Sequence, residues 1–194
     1  MELPGTYKQT IFETQRLYLK ELNPDIVGYV FTSFTDEDIK TYLGLTNEEL
    51  AVEKYKFEKG LTTFQTSFRK FLIVSKADDR VMGKCGFHTW FFNHSRAEIG
   101  YGLMREEDRG KGFMTEAMQL VIRYGFEEMK LNRIEAFVGP TNIASLRLVN
   151  KLGFTEEGTL REHYYKYPRL EDSVCFSLLK KEYEKVKDTI YKTL

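Results

Sequence analysis

The chain lacks several features that would place it in a class at once. It has two cysteines in 194 residues, Cys85 and Cys175, too few for a disulfide framework and without the paired spacing of a zinc site. Each sits in an apolar run, Met82 to Phe87 and Val174 to Leu179, where cysteine behaves as a small core residue. Net charge is missing too: 29 Lys plus Arg balance 29 Asp plus Glu. No global field therefore draws the protein to nucleic acid or an anionic membrane, and any charge recognition is local. No segment approaches the ~18 uninterrupted apolar residues of a membrane helix. Met1 to Gln9 has no basic stretch followed by an apolar one, so no export signal is expected and a cytoplasmic location is. His88, His94 and His163 stand alone in strand-like or turn-like stretches; their spacing predicts no metal site, and such histidines are more often structural or solvated than proton shuttles.

What is present suits a packed domain: 42% hydrophobic and 14% aromatic residues over a length that predicts one domain, residues 1–194, with its core in 14–182. Arg16 to Lys20 alternates like a half-buried strand. Asn23-Pro24-Asp25 starts a helix with a cap, a proline at the first position and an early acid. A break is expected near Gly44, and Thr46-Asn47-Glu48-Glu49 has the form of a capping box before a helical region reaching about Phe68. Phe71 to Val74, Val81 to Phe92 and Ala97 to Met104 then read as an antiparallel meander. A helix follows with Met114, Ala117, Met118, Val121, Ile122 and Met129 on one side. The strand Ile134 to Val138 and a helix from Asn142 to Leu152, closed by Gly153, complete a strand-helix-strand-helix unit. Two strands around Pro168-Arg169 and a charged helix from Lys180 end the chain. The fold class is α/β (α+β): a mixed, mostly antiparallel twisted sheet of about seven strands, flanked by helices.

Two adjacent stretches carry the chemistry. In Glu98 to Met104, alternation puts Ile99, Tyr101 and Leu103 on one face and Glu98, Gly100 and Gly102 on the other. A face nearly bare of side chains marks a close approach by a ligand or another backbone; equally, Glu98 would pair with a cross-strand cation while the glycines make room for an aromatic ring. Arg105 to Met114 then forms a basic, glycine-containing turn feeding a helix. Unpaired N–H groups of a first turn, with the helix dipole behind them, favour a phosphate, and glycine lets the backbone approach it.

These residues resemble the acetyl-CoA motif of the GNAT superfamily of N-acetyltransferases. Arg109-Gly110-Lys111-Gly112-Phe113-Met114 corresponds to the pyrophosphate loop, with Met114 where the family usually has a small residue. The run Arg133 to Phe154, containing Pro140, Asn142, Ser145 and Lys151, and Thr14-Gln15-Arg16-Leu17 near the start, are similar to the branch that acetylates ribosomal-protein N-termini, the RimJ/RimL type. The resemblance implies a sheet splayed between its two central strands near Leu103 and Phe137, with the pantetheine arm inserted there as an added strand. It also implies that Leu103, Met104 and the loop residues hold the cofactor, with Asn142 and Ser145 at the pantetheine and thiol. The residues alone leave Asn142 as a helix cap equally open, and Ser145, a hydroxyl on the apolar face of Leu148, Val149 and Leu152, has the common alternative of bonding back to its own helix.

The implied reaction is direct attack by an amine on the thioester in a ternary complex. An α-amine, of ordinary pKa ~7.7–8.0, needs less help than a lysine of ~10.4 to become a neutral nucleophile. Glu98 is the first candidate for the base and Glu162 the second; the branch's glutamate near Glu162 falls here on Tyr164. A free N–H near Leu103 or Met104 would meet the oxyanion, and Ser145 or, better matched as an acid, Tyr164 would serve the thiolate. The expected acceptor is a protein or peptide N-terminus, such as that of a ribosomal protein. The alternatives are a small amine (aminoglycoside or polyamine), which an acidic pocket would favour, and a non-catalytic acyl-CoA sensor. Trp90, Phe91 and Phe92 are read as exposed aromatics available to a homodimer contact, or as a hairpin end packed on its own core.

Overall fold

The computed structural model describes residues 3–63 and 65–191. The first two residues of the Met1 to Gln9 stretch, and Phe64 of the helical region expected to reach about Phe68, lie outside them. Among the described residues, eight strands form one sheet in the order β1-β2-β3-β4-β5-β6-β8-β7. The strands are β1 (Ile11–Glu13), β2 (Leu17–Leu22), β3 (Ser67–Ser75), β4 (Val81–Phe91), β5 (Arg96–Leu103), β6 (Arg133–Val138), β7 (Thr155–Lys166) and β8 (Arg169–Leu179). Six α-helices join them: α1 (Pro24–Ser33), α2 (Asp36–Leu43), α3 (Asn47–Lys59), α4 (Phe113–Glu127), α5 (Ile143–Lys151) and α6 (Lys180–Ile190). None of these helices is long and apolar enough to cross a membrane.

Strand alternation builds two cores on the two faces of the sheet. Leu17 and Leu19 of β2 and Phe71 and Ile73 of β3 face α4 and α6, while Leu22, Leu72 and Val74 face α1, α2 and α3. A period of two on the strands thus divides one sequence between two helical layers. The helix starts follow the sequence signals. Asn23 caps α1 by accepting from the Ile26 N–H, and Thr46 and Glu49 form the reciprocal capping box of α3. Gly44 ends α2 at φ +71°, and Gly153 follows α5 at φ +79°, backbone that costs glycine little.

Several expectations change. The first helical stretch breaks at Phe34 as well as at Gly44, because Thr35 caps a new helix through the Asp38 N–H. The helical region ends at Lys59, not near Phe68: Gly60 stops it and β3 begins at Ser67. The eighth strand is β1, three residues too short for periodicity to register. Trp90 and Phe91 are only half-exposed, with the Arg69 and Arg96 guanidinium groups over their rings, so of that trio Phe92 alone is exposed.

The feature that positions the site is the contact between β5 and β6, the only parallel pair among the described residues. It holds for Arg96↔Arg133, Ala97↔Ile134 and Glu98↔Glu135 and then stops. Beyond Glu98, β5 stays paired with β4, and β6 with β8, so a wedge opens between the two.

Candidate active site

The wedge exposes backbone donors in a fixed pattern. The Met104 N–H donates to the Met82 carbonyl at 2.9 Å, so Met104 is already paired and offers no free donor, against expectation. In an antiparallel ladder the bonded pairs alternate. Gly102 and Gly100, opposite Lys84 and Gly86, therefore face β4 as Met104 does, and the N–H groups of Leu103 and Tyr101 face the gap.

At the apex of the wedge a cleft of about 270 Å³ brings together His88, Glu98, Tyr101, Asn142, Ser145 and Tyr164, from β4, β5, β7 and α5. The Glu98 Oε1 is 2.9 Å from His88 Nε2 and accepts a 3.2 Å hydrogen bond from the Tyr164 hydroxyl. Burial works to raise the Glu98 carboxyl. The hydrogen bond and charge of His88, with Tyr164 and His163, outweigh it and hold the group below the usual carboxylate range. The opposite holds for Tyr164, whose hydroxyl is pushed up by burial and then by the Glu98 charge. Its proton is thus committed to Glu98, and it is a poorer acid than a free phenol. Gly100 lies under His88: a methyl group there would fall 2.7 Å from Nδ1. The bare face accommodates an imidazole, and the partner of Glu98 is this histidine rather than a lysine or arginine.

Tyr101 is the second residue that pattern reading passed over. Its hydroxyl is shut off from water without a well-formed hydrogen bond, beside Ser145, and burial raises it while Ser145 opposes the shift. Asn142 performs the capping role, accepting from the Ser145 N–H at 3.1 Å, and both residues face the cleft as well. Glu162 is not brought to the site. It sits in the irregular, exposed part of β7 at φ +51°, its N–H donating to Asp172 Oδ1 at 2.7 Å, and it lines none of the site's cavities.

A second cavity of about 540 Å³ runs from Tyr101, Gly102 and Leu103 to the start of α4. Gly110 and Gly112 have φ of +73° and +83°, and no side chain caps α4. The N–H groups of its first turn are left without a side-chain cap, the arrangement that favours an anion. Arg109, Phe113 and Met114 line this space, as do Arg147 and Lys151 one turn apart on α5; Lys111 does not. Methionine at position 114 is accommodated by packing partly against the core. Behind the loop, buried Glu116 accepts from Thr14 Oγ1 (2.5 Å), the Arg16 N–H (2.9 Å) and Arg16 Nε (2.7 Å). Arg16 also donates to the Lys111 carbonyl at 2.9 Å and lies 4.4 Å over the Phe113 ring. The Thr14-Gln15-Arg16 segment is thus the strut behind the loop.

A third cavity, about 680 Å³, lies on the other face of β4 and β5 under α3, and Met104 lines it rather than the loop cavity. It shares His88, Gly100 and Tyr101 with the apex cleft, so the two communicate at the His88–Glu98 pair.

Comparison with known proteins agrees with this arrangement. Residues 16–155 match the acetyltransferase (GNAT) domain. The uncharacterized N-acetyltransferase p20 of Bacillus licheniformis is 38% identical over 173 residues, covering 88% of this chain and 96% of that protein. Among solved structures, the ribosomal-protein-S5-alanine acetyltransferase of Vibrio fischeri superposes with a TM-score of 0.62 at 20% identity, covering 89% of this chain and 98% of that one. The spermidine/spermine N-acetyltransferase SpeG of Vibrio cholerae gives 0.64 at 21%, covering 88% and 96%. At such identities the two structures share the fold and leave the acceptor open. With its splayed sheet and uncapped, glycine-flanked helix N-terminus, the chain belongs to the GNAT family and is an N-acetyltransferase.

Proposed function

We propose that this N-acetyltransferase uses acetyl-CoA to acetylate the N-terminal α-amine of a peptide or protein, a ribosomal protein being the leading candidate. The observation that carries the acceptor class is the charge of the cavity under α3. Glu48, Glu49 and Glu53 are offset there by Lys56, Lys70 and Lys84, whereas a polyamine, with several positive charges, calls for an acidic lining.

The residues present fit acetyl-CoA. The first turn of α4, with Arg109, Arg147 and Lys151, would hold its phosphates; the unpaired backbone edge of β5 and the side chain of Asn142 would hold the pantetheine. Bound there, acetyl-CoA supplies a thioester carbonyl whose C–S bond breaks as the new C–N bond forms. His88 donates its Nε2–H to Glu98, which leaves Nδ1, above Gly100, to take the proton of the incoming amine directly or through one water. Glu98, kept ionised by its partners, fixes the ring and stabilises the imidazolium, a division of labour that suits a carboxylate too weakly basic to act alone. The Leu103 N–H, facing the gap, is placed to meet developing negative charge on oxygen. Tyr101, with Ser145 against it, is the better-placed donor to the departing sulfur, because the Tyr164 proton is already engaged by Glu98.

The test is coenzyme A release with acetyl-CoA and peptides beginning in Ser, Ala or Met, alongside spermidine and an aminoglycoside, with the acetylated atom mapped by mass spectrometry. Acetylation confined to peptide α-amines is expected. His88→Gln should lower kcat about 10²-fold or more, as loss of a general base does. Turnover only on the small amines would overturn the acceptor assignment, and full activity of His88→Gln would overturn the base.

A further inference from the structure

The floor of the cavity under α3 is nearly without side chains, and its two ends differ in chemistry. Gly86, Gly100 and Gly102 form the floor, with Gly86 opposite Gly100 and Lys84 opposite Gly102 in the β4–β5 register. His88, with Glu98 behind it in the apex cleft, stands at one end. Lys84 of β4 and Lys70 of β3, near neighbours across the ladder where Leu72 faces Lys84 and Lys70 faces Gly86, stand at the other. Four residues of strand separate Lys84 from His88, about 13 Å of backbone, and a lysine side chain spans roughly half of that gap.

These lysines lack a contact partner, although the charge of Glu53, and for Lys84 that of Glu49, reaches them. Among the described residues neither makes an ion pair within 4 Å or a side-chain hydrogen bond; Lys70 has only the Phe68 ring, 5.0 Å away. Both ammonium groups are lowered by burial, with Glu53 pulling the other way. The cavity's carboxylates are mostly engaged elsewhere: Glu53 accepts from Lys56 Nζ at 2.8 Å, and Glu49 accepts from the Thr46 N–H at 2.8 Å. Glu48 is at the exposed rim. Two half-buried cations with no carboxylate in direct contact, facing a groove that leads to the proton-accepting pair, are arranged for an anion brought by the acceptor.

We infer that the acceptor is an amine carrying a carboxylate a few bonds from the nitrogen, held by Lys70 and Lys84: a peptide whose second or third residue is Asp or Glu. This rests on the α-amine reading above and adds the specificity to it. A carboxylate several ångströms from the amine matches the spacing along β4 and supplies the direct ion pair that the two lysines lack.

The experiment compares kcat/KM for peptides beginning Ser-Asp, Ser-Glu, Ser-Gln and Ser-Lys, with free glutamate and spermidine as further arms. Acceptor binding is measured separately by calorimetry with coenzyme A present. Ser-Asp or Ser-Glu should exceed Ser-Gln by about tenfold, the effect of one well-placed charge pair, and Ser-Lys by more. In Lys84→Met that ratio should collapse towards one, and in Lys84→Glu it should reverse, with thermal stability and coenzyme A affinity checked to show that both variants fold. Acetylated peptides with equal kcat/KM whatever the second residue would overturn the inference and leave the α-amine reading standing. Turnover of glutamate but of no peptide would support the carboxylate and overturn the peptide. Turnover of spermidine alone would overturn both.

Discussion

Glu116→Gln should destabilise the protein and weaken acetyl-CoA binding together. The carboxylate is 6% exposed and every partner it has is a donor: the Thr14 hydroxyl, the Arg16 N–H, and Arg16 Nε and Nη2, the last two each at 2.7 Å. A glutamine amide keeps one acceptor oxygen and must turn its NH₂ toward one of these donors. Breaking a fully buried pair costs about 3–5 kcal/mol. Because the Arg16 side chain is 41% exposed and can turn to water, the expected cost is nearer about 2–3 kcal/mol. For a chain of this length each kcal/mol lowers Tm by about 2–4 °C, so a fall of roughly 5–10 °C is predicted in a thermal melt at pH 7. Burial tends to raise the Glu116 carboxyl, but the bonds from Thr14 and Arg16 leave it lowered. Its contribution is thus present above the unfolded value of ~4.3 and lost as pH falls through the folded one, so the gap between wild type and variant should close below about pH 4. Released from Glu116, Arg16 also loosens its hold on the Lys111 carbonyl, so KM for acetyl-CoA should rise more than KM for the amine. A Tm within 1 °C (about 0.3 kcal/mol) of wild type at pH 7 would refute the reasoning.

Gly100→Ala places a methyl group 2.7 Å from His88 Nδ1; the ring is partly exposed and can swing away, so Tm should change little while kcat falls about tenfold or more as the Glu98 bond is lost, and steady-state kinetics would reveal an unaltered kcat as disproof. Tyr101→Phe removes a hydroxyl that lacks a well-formed partner and should leave stability unchanged or slightly higher in denaturant titration, while coenzyme A release slows. A clear loss of stability would mean that the hydroxyl is bonded. Arg147→Ala with Lys151→Ala should raise KM for acetyl-CoA and flatten its dependence on ionic strength, since screening acts on charges that the double variant no longer has; the same salt slope as wild type would remove the phosphates from that helix face.

The local code of this chain was readable without coordinates: capping at Asn23 and Thr46, alternation along Glu98 to Leu103, and the glycines before α4 are short-range signals, each set by steric and hydrogen-bond rules within a few residues. From them followed the order of elements, the glycine-flanked turn into α4 and the glycine face. The tertiary structure decided which of these meet. His88 looked solitary, since what makes it a base candidate is Glu98, ten residues away and one strand over, with Gly100 leaving room for the ring. Met104 looked like a free donor until the register paired it with Met82, and Glu162 looked like a rival base until β7 turned irregular and carried it to the exposed edge. The unpaired state of Lys70 and Lys84 is likewise a property of the folded pocket, because whether a charge has a partner depends on side chains that the sequence places far apart. Periodicity and caps are one-dimensional and therefore legible; a site is a convergence across strands, and the splay between β5 and β6 makes it.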